Sequence, residues 1–494
     1  MRLPESPPAR PAVPRLVQAP DGSGPGVHVY AGPGAGPDPE ALARLLAISR
    51  LPWVAAPVVA LPDLHWKPRL ETPSSSAVAT SSDLVPSFSS PSQNCGMSLM
   101  RLPLAESDLS ERFVEALMAA LRDRIPRRRR EPVIDIQEVK EFCRKGAPTA
   151  AGRFGLDPAQ CATMEAGGNA LAGEEPTLDE LDRAADRAAL EAGRWSFAFI
   201  GGGNHFLELQ VVTEALDASA CRLMRLEPGA VVAMFHTGSE RLGHDLGRLY
   251  TWRLKTDPKR RRGLFWRKVR LHLTRDVRSL ADLRRRWAYH FARRDHVAIP
   301  AASVEGERML LTLKMAANYG YANRAAVAGM IQDALRRATG QPGVEVEILA
   351  DLSHNTIQKE RLGGRDLWVH RHNAARVVGP GGLPDRHPWK AIGQPVMVPG
   401  TNRTSSFVIV GRDGSEASLH SVDHGAGRTV ERFAEAGRLT ARPGVTLKYT
   451  YGAPGPERLA HMSDEAIDEV VAVAEAGGLA APVARLRPVA VLKA

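Results

Sequence analysis

Cysteine is scarce in this chain. Four residues in 494, at irregular intervals (Cys95, Cys143, Cys161 and Cys221), exclude a disulfide framework and lead us to expect a reducing, cytoplasmic setting. No apolar run approaches the length of a membrane span, and the first residues lack the apolar stretch of a secretory signal, so no membrane association is expected. No fixed-period repeat is visible, which excludes a solenoid or propeller. Compact metal-site spacings such as C-x-x-C or H-E-x-x-H are missing too.

What is present is a 44% hydrophobic chain, enough for a sizeable core. Residues 1–38 are rich in proline, glycine and alanine, and predict a flexible tail or irregular strap, because such a stretch buries too little apolar surface to offset its ordering entropy. Residues 39–494 read as one large catalytic domain, since the candidate site residues spread from Asp63 to Lys493. The serine-rich stretch Thr72–Ser92 reads as a substrate-facing loop. Apolar residues at helical spacing predict a long buried helix over 305–340, kinked near Gly320. Val396–Val398 and Phe407–Val410 read as strands, and the fold class is α+β, mixed sheets layered with helices.

Charge is uneven. Residues 251–294 hold 16 Lys or Arg against three Asp, a net +13 in a chain of +10, so the remainder is net negative. Arginine clusters interleaved with Trp252, Phe265, Trp266 and Trp287 are how a surface that tracks RNA phosphate and stacks on bases is written, with a solvated helical face as the bland alternative.

Three short apolar segments end in a histidine. Phe197–Ile200 runs into Gly201-Gly202-Gly203-Asn204-His205, Ala230–Phe235 into His236-Thr237-Gly238-Ser239, and the alternating Val344–Leu349 into Asp351-Leu352-Ser353-His354-Asn355. All three read as strands that present a histidine at their ends, where clefts open in sheet proteins. With Cys95, in Gln93-Asn94-Cys95-Gly96, they have the composition of a site for a borderline-soft divalent metal. Taken singly, each is as well explained as a core or loop residue.

Read in order, Leu61-Pro62-Asp63-Leu64-His65, Asn94-Cys95-Gly96-Met97, Gly201–Phe206, His236–Ser239, Asp351–Asn355, Val369-His370-Arg371, Gly393-Gln394-Pro395, His424-Gly425-Ala426-Gly427-Arg428 and Ala484–Pro488 resemble the RtcB family of RNA ligases. The resemblance implies a metal and GTP site in a central cleft. It implies a GTP- and manganese-dependent enzyme that joins an RNA 3′-phosphate or 2′,3′-cyclic phosphate to a 5′-hydroxyl, in RNA repair or tRNA splicing, with an activating partner of the archease type. By motif, His424 is the nucleophile that becomes guanylylated, and Cys95, His205, His236 and His354 hold two Mn2+ ions. Asn204, Glu208, Thr401, Ser406, His424, Ala426, Gly427 and Lys493 contact the nucleotide. Asp63, Arg324, Arg371 and Arg376, with Asn323 beside Arg324, are carried over as substrate or supporting residues.

The chain also departs from the family pattern. Ser92 stands where the family has an aspartate three residues before the metal cysteine, which opens the site to Zn2+ or Co2+ and leaves Asp63 as a replacement carboxylate if the fold brings it close. His372-Asn373-Ala374-Ala375 replaces Lys-Gly-Ala-Thr, and His461 takes the place of a tyrosine that stacks on guanine. Two other functions stay open: an RNA-binding relative without ligase activity, and a metal-dependent phosphohydrolase. Retention of His424 and Lys493 favours nucleotidyl transfer.

Overall fold

The computed structural model describes residues 14–34, 36–68, 70–251, 258–292 and 295–493. It is a mixed α+β structure built on two large sheets. The larger one orders its strands Glu347–Ser353, Gly96–Ala105, Ala230–Thr237, Phe206–Ala215, Ala480–Lys493, Ser406–Gly411 and Pro395–Val398, each antiparallel to its neighbour. Ala441–Thr450 joins it in parallel beside Ala480–Lys493 and carries Glu457–Met462 at its outer edge. Ala230–Thr237 is apolar along its length because both faces are covered: Val231, Ala233 and Phe235 enter one core cluster, Val232 and Met234 another.

The long Val304–Thr339 helix covers one of those faces, starting at a Ser303 hydroxyl that accepts the Gly306 N–H and ending at Gly340 in the left-handed region (φ 68°). It runs unbroken through Gly320, where the sequence suggests a kink. The glycine serves packing instead: a Cβ there would lie 2.3 Å from Asn94 Oδ1, so only glycine lets the segment before Cys95 rest on the helix.

The second sheet orders Arg15–Val17, Val27–Val29, Val58–His65, Ser74–Thr80, Arg365–His372 and Asn355–Leu362, parallel only between the second and third strands. Two expectations change here. Residues 14–34 carry two strands rather than a flexible tail, because Val27 and Tyr30 are fully buried against the sheet; residues 1–13 lie outside the described residues. The first part of the serine-rich stretch is no loop either: Ser74–Thr80 is an interior strand with every residue buried, small side chains fitting between two neighbouring strands.

A third expectation fails at Phe197–Ile200, which is not a strand. The Arg187–Ser196 helix ends there, and Ala198 turns the chain at φ 60° while its N–H donates to Asn323 Oδ1. Phe197 and Ile200 are apolar because they are core residues of that turn, Phe197 stacking on Phe142 at 4.9 Å. The strand comes after the glycines, at Phe206–Ala215. The alternation over 344–349 likewise becomes a strand only from Glu347.

Candidate active site

Register brings the chemistry together. Gly96 pairs with both Thr237 and Ser353, and Phe206 pairs with His236, so Cys95, His205, His236 and His354 emerge at one end of four neighbouring strands. Cys95 Sγ lies 3.1 Å from His205 Nε2 and 3.0 Å from His236 Nε2, and His236 Nε2 lies 3.2 Å from His354 Nε2. Burial, reinforced by the neighbouring imidazoles, holds His236 and His354 well below the usual histidine pKa, so both are neutral donors. His205 behaves oppositely: burial opposes its charge, but the Cys95 sulfur and the Glu240 carboxylate outweigh burial and raise its pKa well above the usual range.

These residues fit a metal ion. The ligand atoms of Cys95, His205 and His236 all lie within 4.8 Å of one another, and buried His354 Nδ1 has no hydrogen-bond partner among the described residues. One cysteine sulfur and three imidazoles, two of them held neutral, converging without a carboxylate in the cluster suit a borderline-soft divalent cation, whose binding would displace the protons that Cys95 and His205 share. Ser92 contributes its backbone carbonyl to the Cys95 N–H. Asp63 is not in the cluster, so it does not replace the missing carboxylate: its Oδ1 accepts the Thr429 N–H (2.6 Å) and hydroxyl (2.8 Å) and ties down the first turn of the Gly427–Glu435 helix.

Glu240 is a site residue that sequence reading misses. Its Oε1 lies 3.0 Å from His205 Nδ1, which also sits 2.8 Å from the Ile200 carbonyl, so Nδ1 carries the proton and Nε2 is left as the ligand atom. Glu240 holds φ 46°, a strained conformation for a non-glycine residue. A glutamate at a helix start looks ordinary in sequence; only the fold reveals its partner.

His424 is set by a small two-stranded pairing in which Ala374 lies opposite Asp423. Its Nδ1 sits 2.8 Å from the Asn373 carbonyl, the N–H donating, so Nε2 keeps a free lone pair. Burial lowers its pKa to about 4. Its ring centroid lies 4.2 Å from that of His354. Asn373 adopts φ 49° where the family pattern has glycine, and asparagine is among the few residues that tolerate that region.

Beside His424 lies a cavity of about 640 Å³ whose lining includes Asn204, Glu208, Thr401, Gly427 and Lys493. Asp63 and His65 also line it. Glu208 is 3% exposed and burial pushes its pKa up to about 8, with Lys493 close enough to oppose the rise. Ser406 and Ala426, expected on the nucleotide, are not in the lining. The Ser406 hydroxyl accepts from Gln210 Nε2 (3.1 Å) and the Gly400 N–H (3.3 Å), and the Ala426 N–H donates to the Pro399 carbonyl, so both shape the wall from behind.

The remaining carried-over residues are buried, apart from Arg376, which is half-buried. Arg324 is fully enclosed, pairing with Asp351 at 2.7 Å and donating to the Asn94 and Thr237 carbonyls; it locks the Cys95 and His236 segments together and has no surface for a substrate. Asn323 braces the same loops through Ala198, Thr237 and Gly238. Arg371 is spent on Glu360, Gln358, Ser421 and two carbonyls, and Arg376 grips Glu360 with two bonds. His461 is buried against the Thr446 hydroxyl and does not line the cavity; Leu459 and Met462 do. A second grouping, His272, His290 and Glu305, is a buried ion network, since Arg286 and Arg308 already hold the Glu305 oxygen that the two imidazoles leave.

Comparison with known proteins places the chain in a family. A "tRNA-splicing ligase RtcB" of Methanopyrus kandleri is 30% identical over 432 residues, covering 81% of this chain and 41% of the relative. One of Archaeoglobus fulgidus is 28% identical over 422 residues, covering 81% and 80%. An "RNA-splicing ligase RtcB" of Mycobacterium tuberculosis is 28% identical over 479 residues, covering 91% and 100%. The chain thus spans about two fifths of the length of the Methanopyrus kandleri relative and all of the mycobacterial one. Residues 44–494 match the family described as tRNA-splicing ligase RtcB, and the chain belongs to that family.

Proposed function

We propose that the chain is a GTP-dependent RNA ligase that joins an RNA 3′-phosphate to a 5′-hydroxyl, in tRNA splicing or RNA repair. His424 Nε2 attacks the α-phosphorus of GTP, forming a P–N bond as pyrophosphate leaves. The GMP passes to the RNA 3′-phosphate, freeing His424; the 5′-hydroxyl then forms the phosphodiester and GMP leaves. A 2′,3′-cyclic end is first opened by water to the 3′-phosphate.

The observation that carries this reading is the His424 tautomer: a nucleophile with Nδ1–H fixed on Asn373 and Nε2 free, on the wall of a nucleotide-sized cavity and against the Cys95–His236–His354 cluster. We assign the cavity to GTP as the cleft of the enzyme. Glu208 accepts from the guanine edge and Lys493 donates to the ring, while Gly425 and Gly427 let the backbone approach phosphate closely. Two divalent ions held by Cys95, His205, His236 and His354, manganese or a softer ion given Ser92, would neutralise charge on the phosphates. Glu240 orients His205, and Asp63 fixes the helix turn.

With GTP labelled at the α-phosphate and Mn2+, Co2+ or Zn2+, the protein should acquire an acid-labile adduct that His424→Ala lacks. At saturating GTP, adduct formation in one turnover should not lose His424 to protonation between pH 8 and 6, because the imidazole titrates near 4. No adduct with any of the three metals would overturn the ligase reading.

A further inference from the structure

Residues 127–130, four consecutive arginines after the Glu111–Arg124 helix, divide their roles. Arg129 is an anchor: its Nη2 donates to the Ala198 carbonyl at 3.4 Å and to the Arg124 carbonyl at 3.2 Å, and its guanidinium lies 5.4 Å from the centre of the Phe199 ring. Arg127, Arg128 and Arg130 are exposed and make no side-chain hydrogen bond or ion pair among the described residues. Asp123 and Asp333 are held by Arg337 and Arg124, and Glu131 forms no ion pair among the described residues. Three like charges within four residues repel one another, and a polyanion is the partner that relieves them.

Two anchors fix where this charge lies. On one side the Tyr451 hydroxyl donates to the Ile125 carbonyl, and Arg122 donates to the Ala453 carbonyl at 3.4 Å. Tyr451 follows Thr450, which pairs with Lys493, and Lys493 lines the cavity beside His424. Register sets Thr450 level with His236 across three strand spacings, about 14 Å. On the other side, Arg129 touches the chain just before residues 201–204. That segment rounds the end of the sheet: Phe197 and Ile200 belong to the core under the long helix, whereas Asn204 lines the cavity with Glu208, whose strand neighbour Leu207 faces the helix. The way to the cluster is short, since the Phe199 carbonyl accepts the hydroxyl of Thr237, next to His236, at 2.9 Å.

The surface along this segment is bare. Gly202, Gly203 and Asn204 are exposed, and a Cβ at Gly202 or Gly203 would meet nothing within 4 Å. Gly203 needs glycine for its φ of 76°, but Gly202 has no positive φ, so neither backbone nor packing explains its missing side chain. Close approach of a ligand does.

We propose that Arg127, Arg128 and Arg130 hold the phosphates of an RNA strand that crosses the bare surface at Gly202 and Gly203 to reach the metal cluster. RNA as the partner rests on the ligase reading; the place of the surface rests on these contacts.

The test is RNA binding and joining by the full chain, with adduct formation from GTP, a step without RNA, as the check on folding. Replacing Arg127, Arg128 and Arg130 with glutamine, singly and together, should weaken binding of a single-stranded oligonucleotide, about tenfold or more for the triple variant, and flatten the log-log salt dependence by about 0.7 for each phosphate no longer neutralised. Lysine at the three positions should restore the slope, and glutamine at Arg222, Arg386 and Arg412, exposed elsewhere, should not reproduce the loss. Gly202→Leu, whose side chain has room in the free protein, should raise the KM for RNA in joining about tenfold and leave the salt slope in place. Affinity unchanged in the glutamine variants, or lost equally in the control, overturns the arginine surface, and an unchanged KM in Gly202→Leu overturns the route. Binding is measured without GTP, so the two readings fail separately. No adduct together with arginine-dependent RNA binding defeats the ligase and keeps the surface, whereas adduct formation with binding indifferent to these arginines defeats the surface alone.

Discussion

In the proposed function, Glu208 is the one buried side chain that would link a proton to the nucleotide. With a pKa near 8 it is about nine-tenths protonated at pH 7, yet a carboxylate that accepts from a guanine edge must be ionised. GTP binding at pH 7 should therefore release close to one proton, and at pH 9, where the group is already ionised, almost none. Affinity should rise as pH increases from 6 to 8. Calorimetry in two buffers of different ionisation enthalpy reads the release directly, and equal heats in both at pH 7 would remove Glu208 from the guanine edge. Glu208→Gln should weaken GTP binding about tenfold to a hundredfold, the range for a lost charge-assisted hydrogen bond. At this scale the sequence is informative about identity and poor on environment. Cys95, His205, His236, His354 and His424 are recognisable by motif order, and register explains why they meet. Arg324 and Arg371 look like substrate cations because nothing in a linear chain says that their guanidinium groups are enclosed, and Glu240 is invisible because its importance lies in reaching His205.

Among the elements, strands of apolar residues are legible in the sequence and strands made of small polar residues are not. Ala230–Thr237 and Ser406–Gly411 are apolar or β-branched runs and read correctly, whereas Ser74–Thr80 hides in serine because its neighbours on both sides leave room only for small side chains. The next strand, Arg365–His372, is tied to a loop by His370, whose Nε2 accepts the Val85 N–H at 2.9 Å while Nδ1–H donates to the Val78 carbonyl. Burial pushes its pKa down to about 4. The unfolded chain, titrating near 6.5, binds more protons between those values, so this residue's contribution to stability is full above 6.5 and is lost as pH falls towards 4. Between pH 7.5 and 5 it should cost about 2 kcal/mol, at 1.36 kcal/mol per pH unit below 6.5. His370→Gln, which keeps hydrogen-bonding groups but does not titrate, should show a correspondingly shallower loss in urea unfolding midpoints. Parallel pH profiles for the two proteins would exclude His370 as the source.

Across the whole molecule, the basic segment divides its charge between anchoring and display. Lys268 is buried, its Nζ 3.3 Å from the Thr251 carbonyl, and burial lowers its pKa to about 7. Arg267 is held by Asp186 and Asp245, and Arg286 by backbone carbonyls and Glu305, whose own carboxyl stays well below the usual range despite burial because His272 and His290 bond to it. These cations root the segment and are withheld from RNA. Left at the surface are Arg262, Arg270, Arg278, Arg284 and Arg285, with Trp266 67% and Trp287 51% exposed; Trp252 and the side chains of Lys259, Arg260 and Arg261 lie outside the described residues. Exposed tryptophans on a cationic surface suit single-stranded RNA, where rings stack on bases and arginines meet phosphate. Replacing Arg270, Arg284 and Arg285 with glutamine should weaken binding of unrelated RNA sequences alike and flatten the log-log salt dependence by about 0.7 for each phosphate no longer neutralised. Trp266→Ala and Trp287→Ala should each cost about 1–3 kcal/mol where a base stacks, with little change in salt slope. Adduct formation at His424 should persist in all of them, because none of these residues lines the cavity beside His424. Unchanged affinity and slope in the arginine variant would leave the segment a solvated face, and loss of the adduct as well would make it part of the folding core.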